Sequence, residues 1–340
     1  MTIKVLIVDD SILIRKILTD ILNSDDEIKV IGVAPDPYIA RTIIAKEKPD
    51  VITLDIEMPK MDGLTFLKNL MKSYPIPTVI ISSLSLKGSE IALEALENGA
   101  IDIIEKPRGK VFENLQEIGY LIIEKIKAAS KVKKISTFNL LEGNYKKGKS
   151  LMETTNKILT IGASTGGPEA IYKVISKLPY DYHGIAIVIH MPAGFTSRYA
   201  KSLDKSCNMT VKEAKDGDKL YKGIVLIAPG GKQMYIRRSG SYYYVEIKAD
   251  KIYNYHRPSI DLLFLSAAEY AGRNAIGVIL TGMGDDGAEG ITRMKEEGAI
   301  TIAQNEESSV VFGMPKKAIA LGGIDKVENL ENISKELLKI

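Results

Sequence analysis

Five short apolar runs, each followed by a stretch of helical period with one apolar face, occupy the first 127 residues, and this alternation restricts the fold more than any other feature. Residues 5–8, 30–33, 51–54, 79–81 and 101–104 read as buried strands, and residues 12–22, 38–46, 64–72, 89–97 and 114–126 read as helices. Repeated strand–helix units of this length give an α/β fold, a doubly wound sheet of five parallel strands. Such sheets bind ligands at the carboxyl ends of their strands. That edge here receives Asp9 and Asp10 after the first strand, Asp55 after the third, Ser82 after the fourth and Lys106 after the fifth.

Carboxylates gathered on one edge repel one another unless a cation joins them, and a hard divalent ion such as Mg²⁺ takes oxygen ligands of this kind. Lys106 adds a positive charge and Ser82 a hydroxyl, which together suit a phosphoryl group carried on one of the carboxylates. The plainer alternative is a set of solvated strand-end charges. The convergence of all these positions on one edge argues against it.

A chain of 340 residues exceeds one ordinary core, so a second domain is expected. Beyond residue 125 the apolar period fades and lysines crowd, at positions 125, 127, 131, 133, 134, 146, 147 and 149, with Gly143 and Gly148 among them. The resulting division is residues 1–124, a basic linker over 125–154, read as a solvated tether, and a second domain over 155–340. With 46 Lys plus Arg against 43 Asp plus Glu, the net charge of +3 makes no case for nucleic acid as a partner. The single cysteine, Cys207, lies in a polar stretch, excludes an internal disulfide and suits a reducing compartment. Neither a signal peptide nor an apolar run of membrane-spanning length is evident, so a cytoplasmic protein without membrane insertion is expected.

In the second domain the governing stretch is Gly162-Ala163-Ser164-Thr165-Gly166-Gly167-Pro168. It follows the apolar run 158–161 and precedes a helical pattern with Ile171, Val174, Ile175 and Leu178 on one face, so Ser164 sits at the apex of a strand-to-helix turn, in a G-x-S-x-G. The glycines permit a tight backbone, and the N–H groups that open the helix face whatever the serine attacks. An anion-binding turn without chemistry, or a plain glycine-rich connection, would share this local pattern. Farther along, residues 185–189 form a buried strand that ends at His190. Residues 211–214, 224–227, 234–237 and 242–247 read as hairpin strands broken by Asp216-Gly217-Asp218 and Pro229-Gly230-Gly231. A helix over 258–271 leads to a strand, 275–280, which stops at Thr281-Gly282-Met283-Gly284-Asp285-Asp286-Gly287. A helix over 288–297, a strand over 299–303 and a last helix over 333–338 close the domain.

If the strands that precede Ser164, His190 and Asp286 are neighbours in one parallel sheet, the three side chains meet at its carboxyl edge. Serine alone is a poor nucleophile; an imidazole takes its proton, and a buried carboxylate on the far ring nitrogen fixes the tautomer. The backbone N–H of Thr165 and one from Gly282-Met283-Gly284 are placed to bind an oxyanion. His256, in Tyr255-His256-Arg257-Pro258-Ser259, rivals His190 as base or substrate contact, and Asp285 rivals Asp286 by adjacency. His183 lies in a polar turn and is expected to be exposed. The order serine, histidine, aspartate is not that of α/β-hydrolases, so that fold is not implied.

Val8-Asp9-Asp10-Ser11, the stretch Leu54-Asp55-Ile56-Glu57-Met58-Pro59-Lys60-Met61-Asp62-Gly63, Ile81-Ser82-Ser83 and Glu105-Lys106-Pro107 resemble the signature of response-regulator receiver domains. The resemblance implies that Asp55 accepts a phosphoryl group from a chemotaxis histidine kinase. It implies that Asp10, Asp55 and the Glu57 carbonyl hold Mg²⁺, with Asp9 acting on the ion through water, and that Ser82 and Lys106 read the phosphoryl group. Ile103 departs from the pattern, because receivers usually carry an aromatic there.

The turn around Ser164, His190-Met191-Pro192-Ala193-Gly194-Phe195-Thr196, Ile227-Ala228-Pro229-Gly230-Gly231, His256-Arg257-Pro258-Ser259, Leu280-Thr281-Gly282-Met283-Gly284, Asp286-Gly287-Ala288 and Val310-Val311-Phe312-Gly313-Met314-Pro315 resemble the CheB-type chemotaxis methylesterase domain. That resemblance implies Ser164 as nucleophile, His190 as base, Asp286 as its partner and the Thr165 and Met283 amides as oxyanion donors. It implies hydrolysis of glutamate γ-methyl esters on methylated chemoreceptors, deamidation of particular receptor glutamines, and no cofactor at the esterase site. It further implies that the unphosphorylated receiver blocks the serine edge and that phosphorylation opens it. A transcriptional output would need a basic helix-turn-helix, and none is evident. A dinucleotide-binding output would need G-x-G-x-x-G, which the Ser164 turn lacks. The triad alone leaves a general small-ester hydrolase open.

Overall fold

The structure is a computed structural model that describes residues 2–58, 61–83, 85–106, 115–132, 135, 137–138 and 156–340. The chain divides into two compact units, Met1–Asn139 and Leu140–Ile340.

In the first unit, strands β1 (Ile3–Val8), β2 (Ile28–Ala34), β3 (Val51–Asp55), β4 (Thr78–Ser82) and β5 (Asp102–Glu105) form one parallel sheet in the order β2-β1-β3-β4-β5. Every residue of β3 and β4 is buried, as near-continuous apolar runs between two helical layers must be. The connecting helices are α1 (Ile12–Asn23), α2 (Pro37–Glu47), α3 (Gly63–Ser73), α4 (Leu86–Glu97) and α5 (Leu115–Ser130). Ser11, Asp36, Asp62 and Ser85 cap the first four, each accepting a first-turn N–H with its side chain. Gly63 opens α3 directly against β3, where a Cβ would run into the backbone carbonyl oxygen of Asp55. Only glycine lets the helix start so close to that strand end.

One boundary differs from expectation. The helix α5 runs through Ser130, so residues 125–130, placed in the linker for their lysines, belong to the first unit. Lys125 is buried on Asp102, and Lys127 pairs with Asp25 at 2.9 Å and with Glu27. These lysines are structural partners of acids, and sequence crowding alone cannot separate that from a solvated run. Pro107, Asn114, the lysines at 133, 134, 146, 147 and 149, and the stretch 139–155 lie outside the described residues.

The second unit is built on seven parallel strands, β6 (Ile158–Ala163), β7 (Gly184–Ile189), β8 (Thr210–Glu213), β10 (Ile224–Ile227), β13 (Ala275–Ile279), β14 (Ile300–Gln304) and β15 (Lys326–Glu328), in the order β15-β14-β13-β6-β7-β10-β8. A separate antiparallel sheet, β11-β12-β9, joins β9 (Lys219–Leu220), β11 (Gln233–Ser239) and β12 (Tyr242–Lys248). The expected four hairpin strands are thereby corrected. Only β11 and β12 pair as a hairpin, with Ile236 opposite Val245, whereas β8 and β10 run parallel in the main sheet. The burial pattern explains the split: all four residues of β10 are buried, as in a strand covered on both faces, while β11 and β12 largely alternate.

Around the sheets lie α6 (Gly167–Ile175), α7 (Phe195–Lys205), α8 (Ile260–Ala271), α9 (Ala288–Glu296), α10 (Met314–Ala320) and α11 (Leu330–Leu337). Helices α7 and α10 were not anticipated; each begins after a glycine that offers no side-chain cap. Phe264 and Ile260 of α8 pack with Ile291 and Met294 of α9 and with Met234 and Ile236 of β11 in one core. His183, expected in solvent, is half-buried, its ring 5.0 Å from that of Tyr182.

Candidate active site and phosphoryl site

Strands β13, β6 and β7 are consecutive neighbours, and their registers bring three loops together. Ala163 lies opposite Ile189 and Gly162 opposite Ile279, so the residues that follow leave the sheet side by side. The His190 N–H donates to the Ala163 carbonyl at 3.2 Å, and the Ser164 N–H to the Thr281 carbonyl at 3.0 Å. Ser164, His190 and the loop that carries Asp286 are thus held to the sheet by main-chain bonds. Gly166 takes a left-handed φ of 77°, and the Gly167 N–H closes on the Ser164 carbonyl at 2.7 Å, so the serine stands just before the first turn of α6. Gly282 packs against it; a Cβ there would lie 2.8 Å from the Ser164 Cβ. Met283 follows in a turn whose Gly282 carbonyl accepts from the Gly313 and Met314 amides at 3.0 and 2.9 Å.

His190 Nε2 lies 2.7 Å from Asp286 Oδ2. Asp286 is buried and also accepts from Ser259 Oγ at 2.8 Å, the Ile260 N–H at 2.7 Å and the Asp261 N–H at 3.1 Å. The carboxylate therefore caps the N-terminus of α8 from another part of the chain, where the helix field favours an anion. Burial alone would raise its pKa, but the His190 hydrogen bond, the charges of His190 and His256 and the helix amide hold it down at about 2. An ionised Asp286 obliges Nε2 to carry the proton. Nδ1 is then the basic nitrogen, and it is buried with no hydrogen-bond partner among the described residues.

The rivals resolve by position. Asp285 is exposed and accepts from Asn254 Nδ2 at 3.2 Å, so Asp286 is the acid on the imidazole. His256 is also present: its ring stacks on His190 with centroids 3.6 Å apart and planes 9° from parallel. Asp261 is a further buried acid at this site, with no motif around it to mark it. It is buried in the first turn of α8, accepts the Gly290 N–H at 2.7 Å, and its burial, then the neighbouring Asp286 charge, push its pKa up to about 7. An acid there reads in sequence as an ordinary favourable charge at a helix start. Ser259 is the N-cap of α8, its hydroxyl accepting from the Leu262 N–H at 3.4 Å.

At the carboxyl edge of the first unit, Asp9, Asp10 and Asp55 each offer a carboxylate oxygen, all within 4.8 Å of one another. Lys106 Nζ lies 2.6 Å from Asp55 Oδ2 and 3.1 Å from Asp9 Oδ2. Burial raises both carboxyls above their ordinary range, more than Lys106 and the amides lower them. Asp9 Oδ2 is buried without a well-formed hydrogen bond, the Lys106 ammonium notwithstanding. An all-oxygen set of three carboxylates faced by a single ammonium fits a hard divalent cation. The Glu57 carboxylate accepts from Ser83 Oγ and, at 2.9 Å, from Ser85 Oγ. Ser82 is buried at the end of β4, and the Lys106 N–H donates to its carbonyl at 2.8 Å. Ile103 is buried in β5.

A serine, an imidazole and a capped carboxylate on adjacent ends of a parallel sheet, in one chain with an acidic, lysine-paired edge of receiver type, define a receiver-linked serine hydrolase. Residues 159–337 match the CheB methylesterase family model, and residues 5–116 match that of the response regulator receiver domain. The chain belongs to the CheB methylesterase family. It is 51% identical over 341 residues, 99% of each chain, to protein-glutamate methylesterase/protein-glutamine glutaminase 2 of Syntrophus aciditrophicus. It is 49% identical over 353 residues, again 99% of each, to protein-glutamate methylesterase/protein-glutamine glutaminase 3 of Geobacter metallireducens. The CheB methylesterase catalytic domain of Thermotoga maritima superposes with a TM-score of 0.53 at 39% identity, covering 54% of this chain and 97% of that one. Among the described residues, no helix is long and apolar enough to cross a membrane.

Proposed function

We propose that this chain hydrolyses glutamate γ-methyl esters on chemoreceptors and deamidates particular receptor glutamines, with phosphorylation of Asp55 as the signal that raises the rate. The observation that carries the reading is the polarity of His190: its Nε2 is committed to an ionised Asp286, and its Nδ1 is buried with no hydrogen-bond partner among the described residues, while Ser164 follows the end of the neighbouring strand. As Ser164 Oγ attacks the ester carbonyl carbon, His190 Nδ1 takes the hydroxyl proton. Nδ1 then returns that proton to the departing oxygen, which leaves as methanol, and Ser164 holds the glutamyl group as an ester. Water repeats the sequence with its proton going to Nδ1, freeing glutamate and the serine hydroxyl. With a glutamine the leaving group is ammonia.

Asp286 stays ionised throughout and stabilises the imidazolium, which its helix-capped setting supports. The Thr165 and Met283 amides, flanking Ser164 and Gly282, are assigned to the oxyanion; single donors of this kind contribute about 3 to 4 kcal/mol. In the receiver, Asp55 is the phosphoryl acceptor, with Ser82 and Lys106 reading the added charge. Asp10, Asp55 and the Glu57 carbonyl would hold Mg²⁺, with Asp9 beside them, and the ion when bound neutralises charge on the phosphoryl oxygens. The phosphodonor is a chemotaxis histidine kinase, and the setting is the cytoplasm, where receptor signalling helices lie.

The test is methanol release from methylated receptor fragments by wild type, Ser164→Ala and Asp55→Asn, with and without Mg²⁺ and a small phosphodonor. Release should vanish in Ser164→Ala and lose its phosphodonor response in Asp55→Asn. Release that persists in Ser164→Ala would sink the mechanism.

A further inference from the structure

The imidazole of His190 is held at one edge and on one face. Asp286 holds Nε2, but a single hydrogen bond leaves the ring free to swing about its axis, and the bearing of Nδ1 swings with it. The parallel ring of His256, with its centroid 3.6 Å away, removes that freedom. Proton transfer needs the basic nitrogen within hydrogen-bond reach of the hydroxyl, so whatever keeps the His256 ring in place governs the step.

His256 belongs to residues 249–258, a connection between β12 and α8 that contains no helix or strand, and residues 251–255 are all exposed. Apolar burial therefore does little to hold it. The bonds between the Tyr253 and His256 main chains, at 3.1 and 2.8 Å, lie within the connection. Its ties outward run to the start of β11: the Gly231 N–H donates to the Arg257 carbonyl at 3.0 Å, and Gln233, the first residue of the strand, has a wholly buried side chain. Gln233 Nε2 donates to the carbonyls of Lys251 and His256, each at 3.1 Å, and Oε1 accepts the Ser259 N–H at 2.8 Å. Two donors on two carbonyls and the oxygen on an N–H fix which way the amide points. Ser259 in turn donates to Asp286 at 2.8 Å. One side chain thus joins the residue that lies flat on the imidazole to the residue that binds its acid.

We infer that Gln233 is a positioning residue for the base: by holding the His256 main chain it sets the plane of the stacked pair and so aims His190 Nδ1. This rests on the esterase reading above and adds to it what orients the ring that the reaction uses. Among the described residues no hydrogen bond joins Gln233 to His190, so it acts through His256. The antiparallel sheet, which carries no residue of the triad, takes part in the reaction by this route, with β11 supplying the anchor.

The test uses the full chain, which has only three histidines, so isotopically labelled histidine gives three sets of ring signals in nuclear magnetic resonance. Protons on rings that lie face to face are shielded, and both His190 and His256 should resonate upfield in wild type. Two variants sever the tie to the His256 carbonyl. Gln233→Met matches the length and makes no hydrogen bond, whereas Gln233→Glu keeps an oxygen for the Ser259 N–H and sets its carboxylate against the two carbonyls. In both, the His190 and His256 signals should move downfield while those of His183, at the far end of β7, stay in place. In methanol release from a methylated receptor fragment, kcat should fall about 10- to 100-fold with KM within about twofold of wild type, the scale of a small misplacement of a reacting group. Unmoved ring signals, an unchanged kcat, or a loss confined to KM would overturn the inference. Should neither variant fold, His256→Ala decides it: His190 signals moved downfield with kcat about tenfold lower uphold the stacked plane, and a wild-type kcat overturns it. Wild type that releases no methanol would refute the esterase reading instead, and the ring signals would still show whether Gln233 sets the stack.

Discussion

Asp261→Asn is the perturbation that most sharply tests the electrostatics beneath the triad. Asp261 is buried in the first turn of α8 with its carboxyl raised from 3.8 to about 7, first by burial and then by the adjacent charge of Asp286. A group whose folded pKa is raised is protonated in the native state and ionised in the unfolded chain across the window between the two values. Native stability therefore falls as pH climbs from about 4 to about 7 and is level above that. At 1.36 kcal/mol per unit, the full span is on the order of 4 kcal/mol. Asn keeps an oxygen for the Gly290 N–H, 2.7 Å away in wild type, offers Asp286 an N–H in place of the protonated carboxyl, and does not titrate. Its advantage over wild type should grow by roughly 2 to 3 kcal/mol from pH 5 to pH 8, a relative gain of about 5 to 10 °C for a domain of this size. Scanning calorimetry of both full-length proteins at the two pH values is the assay. A difference independent of pH would refute the reasoning, because Asp261 would then be ionised in the native state throughout. Asp286 cannot mimic the result. Its pKa of about 2 adds stability as pH rises from about 2 to about 4 and contributes no slope above.

Ser259→Ala removes both the cap of α8 and a donor to Asp286 Oδ1. It should cost about 2 kcal/mol in denaturant unfolding and lower kcat more than it raises KM. Gly63→Ala forces a Cβ into the Asp55 carbonyl, with the Ile56 Cα only 2.8 Å off, and neither neighbour is a side chain that can rotate away. A loss of about 3 kcal/mol from the receiver unfolding transition is expected, with slower labelling of Asp55 by a small phosphodonor. An unshifted transition would mean that α3 moves freely off the strand.

Much of this was legible because chemistry here sits where strands stop. Ser164, His190 and Asp286 each follow an apolar run and precede a glycine-rich or proline-bearing turn, so composition and pattern marked them independently. The failures have local causes. Residues 211–214 and 224–227 are too short for periodicity to distinguish a parallel strand from a hairpin arm, although the unbroken Ile224-Val225-Leu226-Ile227 favoured the parallel sheet. Lys125 and Lys127 looked like linker charge because their partners, Asp102, Asp25 and Glu27, come from distant parts of the chain. Asp261 carries no sequence signal at all: its protonation depends on a carboxylate 25 residues away that only folding brings to it.

The position of β6 in the middle of its sheet has a consequence for synthesis. The strand that leads into Ser164 is flanked by β7, which leaves the ribosome soon after it, and by β13, whose first residue is Ala275, paired with Ile158. Such a long-range pairing forms late, because a large loop must close first. A nascent chain released at residue 270 would own the serine and the histidine yet lack the carboxylate that polarises the ring. Hydrolytic competence should therefore arrive abruptly, once the segment that carries Asp286 has been made, and arrested chains of graded length reacted with a serine-directed phosphonate would show whether labelling of Ser164 switches on only after Asp286 has emerged.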